Sequence, residues 1–178
     1  MRLRLIFSTC SFLLFVSSVR LLPSQAEDLY VSRRLGISLT TLQKSLEKVG
    51  GPVTFAPRSG STQGTQEARL PEKAGIVQAG GGNENLAVVI LWLPVDKGGK
   101  LAGPQARAYL KSFTETFMSD GEPVSLWIDE VLKRAIADSA SGPYLEAQLF
   151  DKYQLKATYM PTLNPPMVSL AITASSDE

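Results

Sequence analysis

The chain has 178 residues, of which 44% are apolar and 20% charged, with a formal net charge of +1. That composition is globular and excludes collagen-like, disordered and multi-span membrane chains. Histidine is absent and the single cysteine is Cys10, which removes internal disulfides, Ser-His and Cys-His nucleophile pairs and most zinc or haem ligation.

The N-terminus reads as an export signal. Arg2 and Arg4 supply a positive start, residues 5–19 an apolar run, and Pro23-Ser24-Gln25-Ala26 small residues at a peptidase site, so cleavage is expected after Ala26. The run is shorter than the roughly 20 residues that span a bilayer, and Arg20 interrupts it. Cys10 sits inside the run rather than after it, which excludes lipidation at that site. Processing removes three of the 18 basic and none of the 17 acidic side chains, leaving 152 residues with a charge of −2. The destination is periplasmic or secreted, with no stable membrane insertion once the signal is gone. The cohesion of a cysteine-free processed chain then comes from apolar burial.

Residues 27–37 are polar and unpatterned and are expected to form a flexible tail; 38–174 form one α+β domain. Ser38 is an N-cap, Ile37 and Leu42 make a hydrophobic staple, and Leu39, Leu42, Leu46 and Val49 recur at helical spacing. Gly50-Gly51-Pro52 ends the helix. Val53 to Ala56 is a short strand, and the Ser/Thr/Gly/Gln-rich stretch 57–66 a mobile loop. Ala74 to Ala79 is weakly strand-like, and Gly80 to Asn85 a turn. Leu86 to Leu93 is an apolar strand whose lack of alternation predicts burial on both faces at the sheet centre.

A second loop, 95–103, leads to a helix with Pro104 in its first turn and Ala106, Leu110, Phe113 and Phe117 on one stripe. After Ser119 to Pro123 a further helix runs from about Val124 to Asp138, carrying Val124, Trp127, Ile128, Val131, Leu132 and Ala135 inward. These two helices can form an αα-hairpin. From Tyr144 the period is two: Leu145, Ala147 and Leu149, then Tyr153, Leu155, Ala157 and Tyr159 after a tight turn at Asp151-Lys152. Asn164-Pro-Pro166 breaks the chain before a last strand, Met167 to Ala174. The order α-βββ-αα-βββ implies an antiparallel sheet with about three helices packed on one face.

The residues that could carry chemistry each have a plainer reading. Ser45-Leu-Glu-Lys48, with Ser119-Asp120-Gly121 downstream, superficially resembles serine-lysine acyl enzymes, but no K-T-G follows and both residues are expected on a solvated helix face. Gly80-Gly81-Gly82 lacks the G-K-[ST] of a phosphate loop and reads as a hairpin turn. Asp129, Glu130, Glu146 and Asp151 are scattered carboxylates rather than a converging pair. Asn83-Glu84-Asn85 has too few oxygens for calcium. Arg33-Arg34 is the densest basic group, which with a negative processed chain argues against nucleic acid. Trp92 and Trp127 fall on predicted core faces, where filling space is the default and lining a ligand cavity the alternative. Tyr153 and Tyr159 share a face, either as a partner surface or in cross-strand packing with Tyr144 nearby.

Leu39-Thr-Thr-Leu42, the strand ending Leu91-Trp-Leu-Pro94, the helix Ala106 to Phe117, the helix after it and the C-terminal strands together resemble the YiiQ-type family of small exported bacterial proteins, over roughly residues 38–172. The glycine-rich stretches at 57–66 and 80–82 depart from that family. The resemblance implies an exported envelope protein and brings no assigned activity, so no functional residue is carried over. The sequence names no catalytic, cofactor-binding or metal residue. The expected function is a non-catalytic binding module for a protein or small apolar ligand of the cell envelope, acting through the sheet, its edge or the loops 57–66 and 95–103. The alternative is a small envelope hydrolase using Ser/Lys or carboxylate chemistry.

Overall fold

The computed structural model describes residues 34–59, 64–138 and 142–175. The expected signal, its cleavage site, most of the tail and residues 60–63 of the first loop lie outside them. In chain order the elements are α1 (Leu39–Gly50), β1 (Ala56–Pro57), β2 (Gln66–Arg69), a short 3-10 turn at Pro71–Lys73, β3 (Ile76–Gly82), β4 (Asn85–Pro94), α2 (Gly103–Glu115), α3 (Glu122–Ala137), β5 (Tyr144–Phe150), β6 (Tyr153–Met160) and β7 (Met167–Ala174). The strands form one seven-stranded sheet of order β1-β2-β3-β4-β7-β6-β5. Every neighbouring pair is antiparallel. The fold is therefore α+β, and β4 is its middle strand as its apolar run predicts.

Local signals set the helices. Ser38 Oγ accepts from Thr41 N–H at 3.1 Å, and Gly51 closes α1 with φ 104, a conformation glycine adopts without a Cβ penalty. Ala106, Leu110 and Phe113 of α2 are buried together with Tyr109 and Thr114, and all six inward residues expected of α3 are buried. With the helices they form one apolar cluster with Val77, Ala79, Val89, Leu91, Leu93, Leu155, Ala157, Leu170 and Ile172 of the strands. These strand residues share one face, so the three helices cover that face.

Five local expectations change, the last at the glycine run 80–82. β1 is only Ala56–Pro57, displaced from the predicted 53–56, while Val53 turns into the core. β2 starts on the last residue of the expected loop 57–66 and continues through residues 67–69, for which no element was expected: its sequence QEAR has a single inward apolar residue, Ala68, and its order comes from pairing with β3. Residues 34–37 belong to the packed body, since Leu35 is buried and its N–H donates to Leu86 C=O, while Leu86 N–H donates to Ile37 C=O. Residues 95–101 make a tight turn rather than an open loop. Val95 bridges Leu101, both buried, and Asp96 Oδ1 accepts the Gly98 and Lys100 N–H groups at 2.8 and 3.0 Å.

The glycine run at 80–82 is part of β3, with a register shift between Gly80 and Gly81 that leaves Ala87 as the extra residue opposite. A Cβ on Gly81, at φ 101, would stand 2.7 Å from Ala87 N and 2.8 Å from Arg34 Nη1. The bulge also returns Leu86 to the core side, where it is buried.

Candidate functional site

One helix layer leaves the second face of the sheet without a covering helix among the described residues. Register fixes what lies on it. Ile76, Trp92, Ser169, Thr158 and Leu145 form one row across five strands, and Gln78, Ile90, Ala171, Lys156 and Ala147 the next. Val88, Thr173, Gln154 and Leu149 form a third. From β3 to β5 these rows hold one formal charge, Lys156, and two amides, Gln78 and Gln154, among apolar and small hydroxyl side chains. Antiparallel sheets with one wet face ordinarily alternate apolar-in and polar-out, a pattern that β6 follows and β4 and β5 do not.

The expectation that β4 is buried on both faces holds on the uncovered side only at Val88, which is 5% exposed, and is corrected for the rest. Val89, Leu91 and Leu93 are buried under the helices, whereas Ile90 and Trp92 are half-buried on the uncovered side. Trp92 is not in the helix-side core. Its Nε1–H donates to Gln78 Oε1 at 3.3 Å, Gln78 Nε2 donates to Glu67 Oε2 at 2.9 Å, and Glu67 pairs with Arg58 at 3.8 Å. This chain of bonds fixes the tryptophan's polar end and leaves its ring at the surface. It leads to a groove of about 430 Å³ lined by Pro52, Thr54, Ala56, Pro57, Arg58, Glu67 and Arg69 at the β1–β2 margin.

The structure also decides which side the apolar face of β5 takes. Leu145, Ala147 and Leu149 lie on the uncovered face, with Leu145 51% and Leu149 53% exposed, and Tyr144, Glu146, Gln148 and Phe150 turn to the helix side. The hairpin decides this. Asp151, at φ 51, and Lys152 make a two-residue turn that sets Phe150 opposite Tyr153. Tyr153, Leu155, Ala157 and Tyr159 take the core side, so β5 inherits the parity that exposes its leucines. Tyr153 and Tyr159 are accordingly buried packing residues, and Tyr153 Oη donates to Leu35 C=O at 3.2 Å.

The other singled-out residues are held in structural contacts. Ser45 is not on a solvated face: it is half-buried between α1 and α2, donating to Ser112 C=O at 3.0 Å while Ser112 Oγ donates to Ser45 C=O at 2.7 Å. The two hydroxyl oxygens are 3.2 Å apart, but each has given its one proton to the opposite backbone. Lys48 is exposed. Asp129 is gripped by Nη1 and Nη2 of Arg107, each at 3.0 Å, tying α2 to α3, and Glu130 pairs with Lys133 one turn away. Glu146 takes two 2.7 Å bonds from Arg134 and a third from Tyr144 Oη, and the Arg134 bonds hold its carboxyl below the usual range. Trp127 packs on Phe150 with ring centroids 5.6 Å apart. Among the described residues no group of three or more His, Cys, Asp or Glu gathers to hold a metal, and no helix is long and apolar enough to cross a membrane.

Two signals in the sequence point to the uncovered face: period-two counting through 86–93, which separates Val88, Ile90 and Trp92 from Val89, Leu91 and Leu93, and Gln78 as the polar side chain of a strand otherwise made of apolar residues and glycine. No protein-family model, curated protein or solved structure matches the chain.

Proposed function

We propose that the chain is an exported, non-catalytic interaction module of the bacterial cell envelope that binds a protein partner through the uncovered face of its sheet. One observation carries the reading: the two rows centred on Trp92 and Ile90 hold six apolar side chains and a single charge among ten, where an unpartnered sheet face would alternate to polar. A protein is favoured over a small apolar ligand because Trp92 lies on a sheet surface and Trp127, which a ligand chamber would use, is packed on Phe150. The commitment of Ser45, Asp129 and Glu146 to helix and strand contacts supports the non-catalytic part. Export rests on the arginines, apolar run and small residues of the first 26 positions, and on the resemblance to YiiQ-type proteins.

Crosslinking and thermal-shift titration against individual envelope proteins test the reading. The expected result is saturable binding that is lost in Ile90→Glu and Ala171→Glu and kept in Leu126→Glu, which changes an exposed residue of α3. Absence of saturable binding across the panel, or equal loss in all three variants, refutes it. Labelling of the protein by a serine-directed fluorophosphonate would favour the hydrolase instead.

A further inference from the structure

The two edges of the sheet differ in kind. β1 closes one side with two residues, one of them Pro57, which has no N–H to offer. β5 closes the other with seven residues, Tyr144–Phe150, free of proline, lysine and register shifts. Its single charge, Glu146, is already neutralised by the two Arg134 bonds at 2.7 Å.

Which backbone groups face outward follows from the ladder. Ser175 N–H donates to Lys152 C=O, so Lys152 and alternate residues after it point to β7, and Tyr153, Leu155, Ala157 and Tyr159 point to β5. Their partners Phe150, Gln148, Glu146 and Tyr144 direct their backbone bonds to β6. Leu145, Ala147 and Leu149 therefore aim N–H and C=O groups at the open edge, and the same three side chains occupy the uncovered face.

We propose that β5 pairs antiparallel with β5 of a second copy of this chain, about a two-fold axis through Ala147. In that register Ala147 meets itself, Leu145 lies opposite Leu149 of the second copy, Glu146 opposite Gln148, and Tyr144 opposite Phe150. Every outward backbone donor finds an acceptor. Leucine meets leucine on the uncovered face, aromatic meets aromatic on the helix side, and no like charges are opposed. A strand of unrelated sequence would satisfy the backbone, but this match on both faces is a property of β5 against itself. The axis stands perpendicular to the sheet, so the two uncovered faces join into one surface.

Sedimentation equilibrium of the purified protein over a concentration series tests this. The wild type is expected to approach twice its chain mass. Ala147→Pro deletes an outward N–H at an edge position without touching the bonds to β6. Because the axis removes two bonds at once, it should weaken the dimer at least about tenfold with unchanged circular dichroism. Should the proline unfold the edge, the exposed leucines provide a second route. Leu145→Lys with Leu149→Lys sets like charges opposite and should give a monomer; Leu145→Lys with Leu149→Glu sets opposite charges and should restore the dimer. A wild type that is monomeric at every concentration overturns the proposal, as does a dimer indifferent to the paired lysines or one that fails to tell the two charge combinations apart. The binding reading above is tested two and three strands away, at Ala171 and Ile90, so either can fail alone.

Discussion

Replacing Ser45 by alanine removes one of two reciprocal bonds that join α1 to α2. The geometry sets the size of the effect. Ser45 Oγ reaches Ser112 C=O at 3.0 Å and Ser112 Oγ reaches Ser45 C=O at 2.7 Å, so each variant deletes one neutral hydrogen bond and leaves the other in place. The site is half-buried, so water can reach the freed Ser112 C=O, which also keeps a 2.9 Å bond from Thr116 Oγ1, and the loss stays at about 1 kcal/mol per hydroxyl. The double variant Ser45→Ala, Ser112→Ala should lose about 2 kcal/mol, because neither proton is given to the other hydroxyl and the effects add. In urea unfolding followed by circular dichroism, a slope of about 2 kcal/mol/M turns each deletion into a midpoint shift of roughly 0.5 M with the slope unchanged. Partner binding should be unaffected in all three variants. A neutral Ser45→Ala, or coupling above about 0.5 kcal/mol, would refute this bond assignment. Loss of binding or turnover in a folded Ser45→Ala protein would return the serine to chemistry.

Tyr109 is fully buried and its hydroxyl has no hydrogen-bond partner among the described residues; burial first, and Glu72 second, push its pKa up. Tyr109→Phe should therefore raise stability by about 1 kcal/mol in the same unfolding assay, and a loss would contradict the unpaired hydroxyl. A Cβ on Gly50 would fall 2.4 Å from that hydroxyl oxygen and 3.3 Å from the ring carbon bearing it. Gly50→Ala should cost about 1–3 kcal/mol alone and far less in the Tyr109→Phe background, which a thermodynamic cycle measures. Glu146 has a folded pKa depressed chiefly by its Arg134 bonds. Its contribution is then complete above the ordinary glutamate pKa, about 4.3, and is lost as pH falls through the lower folded value. Unfolding midpoints measured between neutral and strongly acid pH should fall less in Glu146→Gln than in the wild type; parallel curves would count against the pair.

The helices were legible because their signals are local. The Ser38 cap, Gly51, Pro104 and the stripe Val124 to Ala135 each act within a turn or two, and the structure places them where spacing predicts. The strands 153–160 and 167–174 were legible for the same reason, as was the central place of β4. β2 was not, because Gln66–Arg69 has little apolar pattern and depends on β3 for its hydrogen bonds. The turn at 95–101 was not, because its glycines suggest freedom while Asp96 and the buried Val95 and Leu101 remove it.

The candidate site was the least legible part. Alternation in β5 correctly identifies Leu145, Ala147 and Leu149 as one face and says nothing of which side that face takes. Asp151-Lys152 and the pairing with β6 decide it, since parity propagates across a two-residue turn. Likewise an unbroken apolar run in β4 fits two covering layers, and only the packing of all three helices on one side leaves Ile90 and Trp92 uncovered.

By itself, then, the amino-acid order determined the helices, the strand-rich C-terminal third and the α+β class, because capping groups and hydrophobic period act between near neighbours. Tertiary structure alone decided the uncovered face, the contact that Ser45 makes and the strand left at the edge, because these depend on which distant segments meet, and a side chain's surroundings come from partners far along the chain.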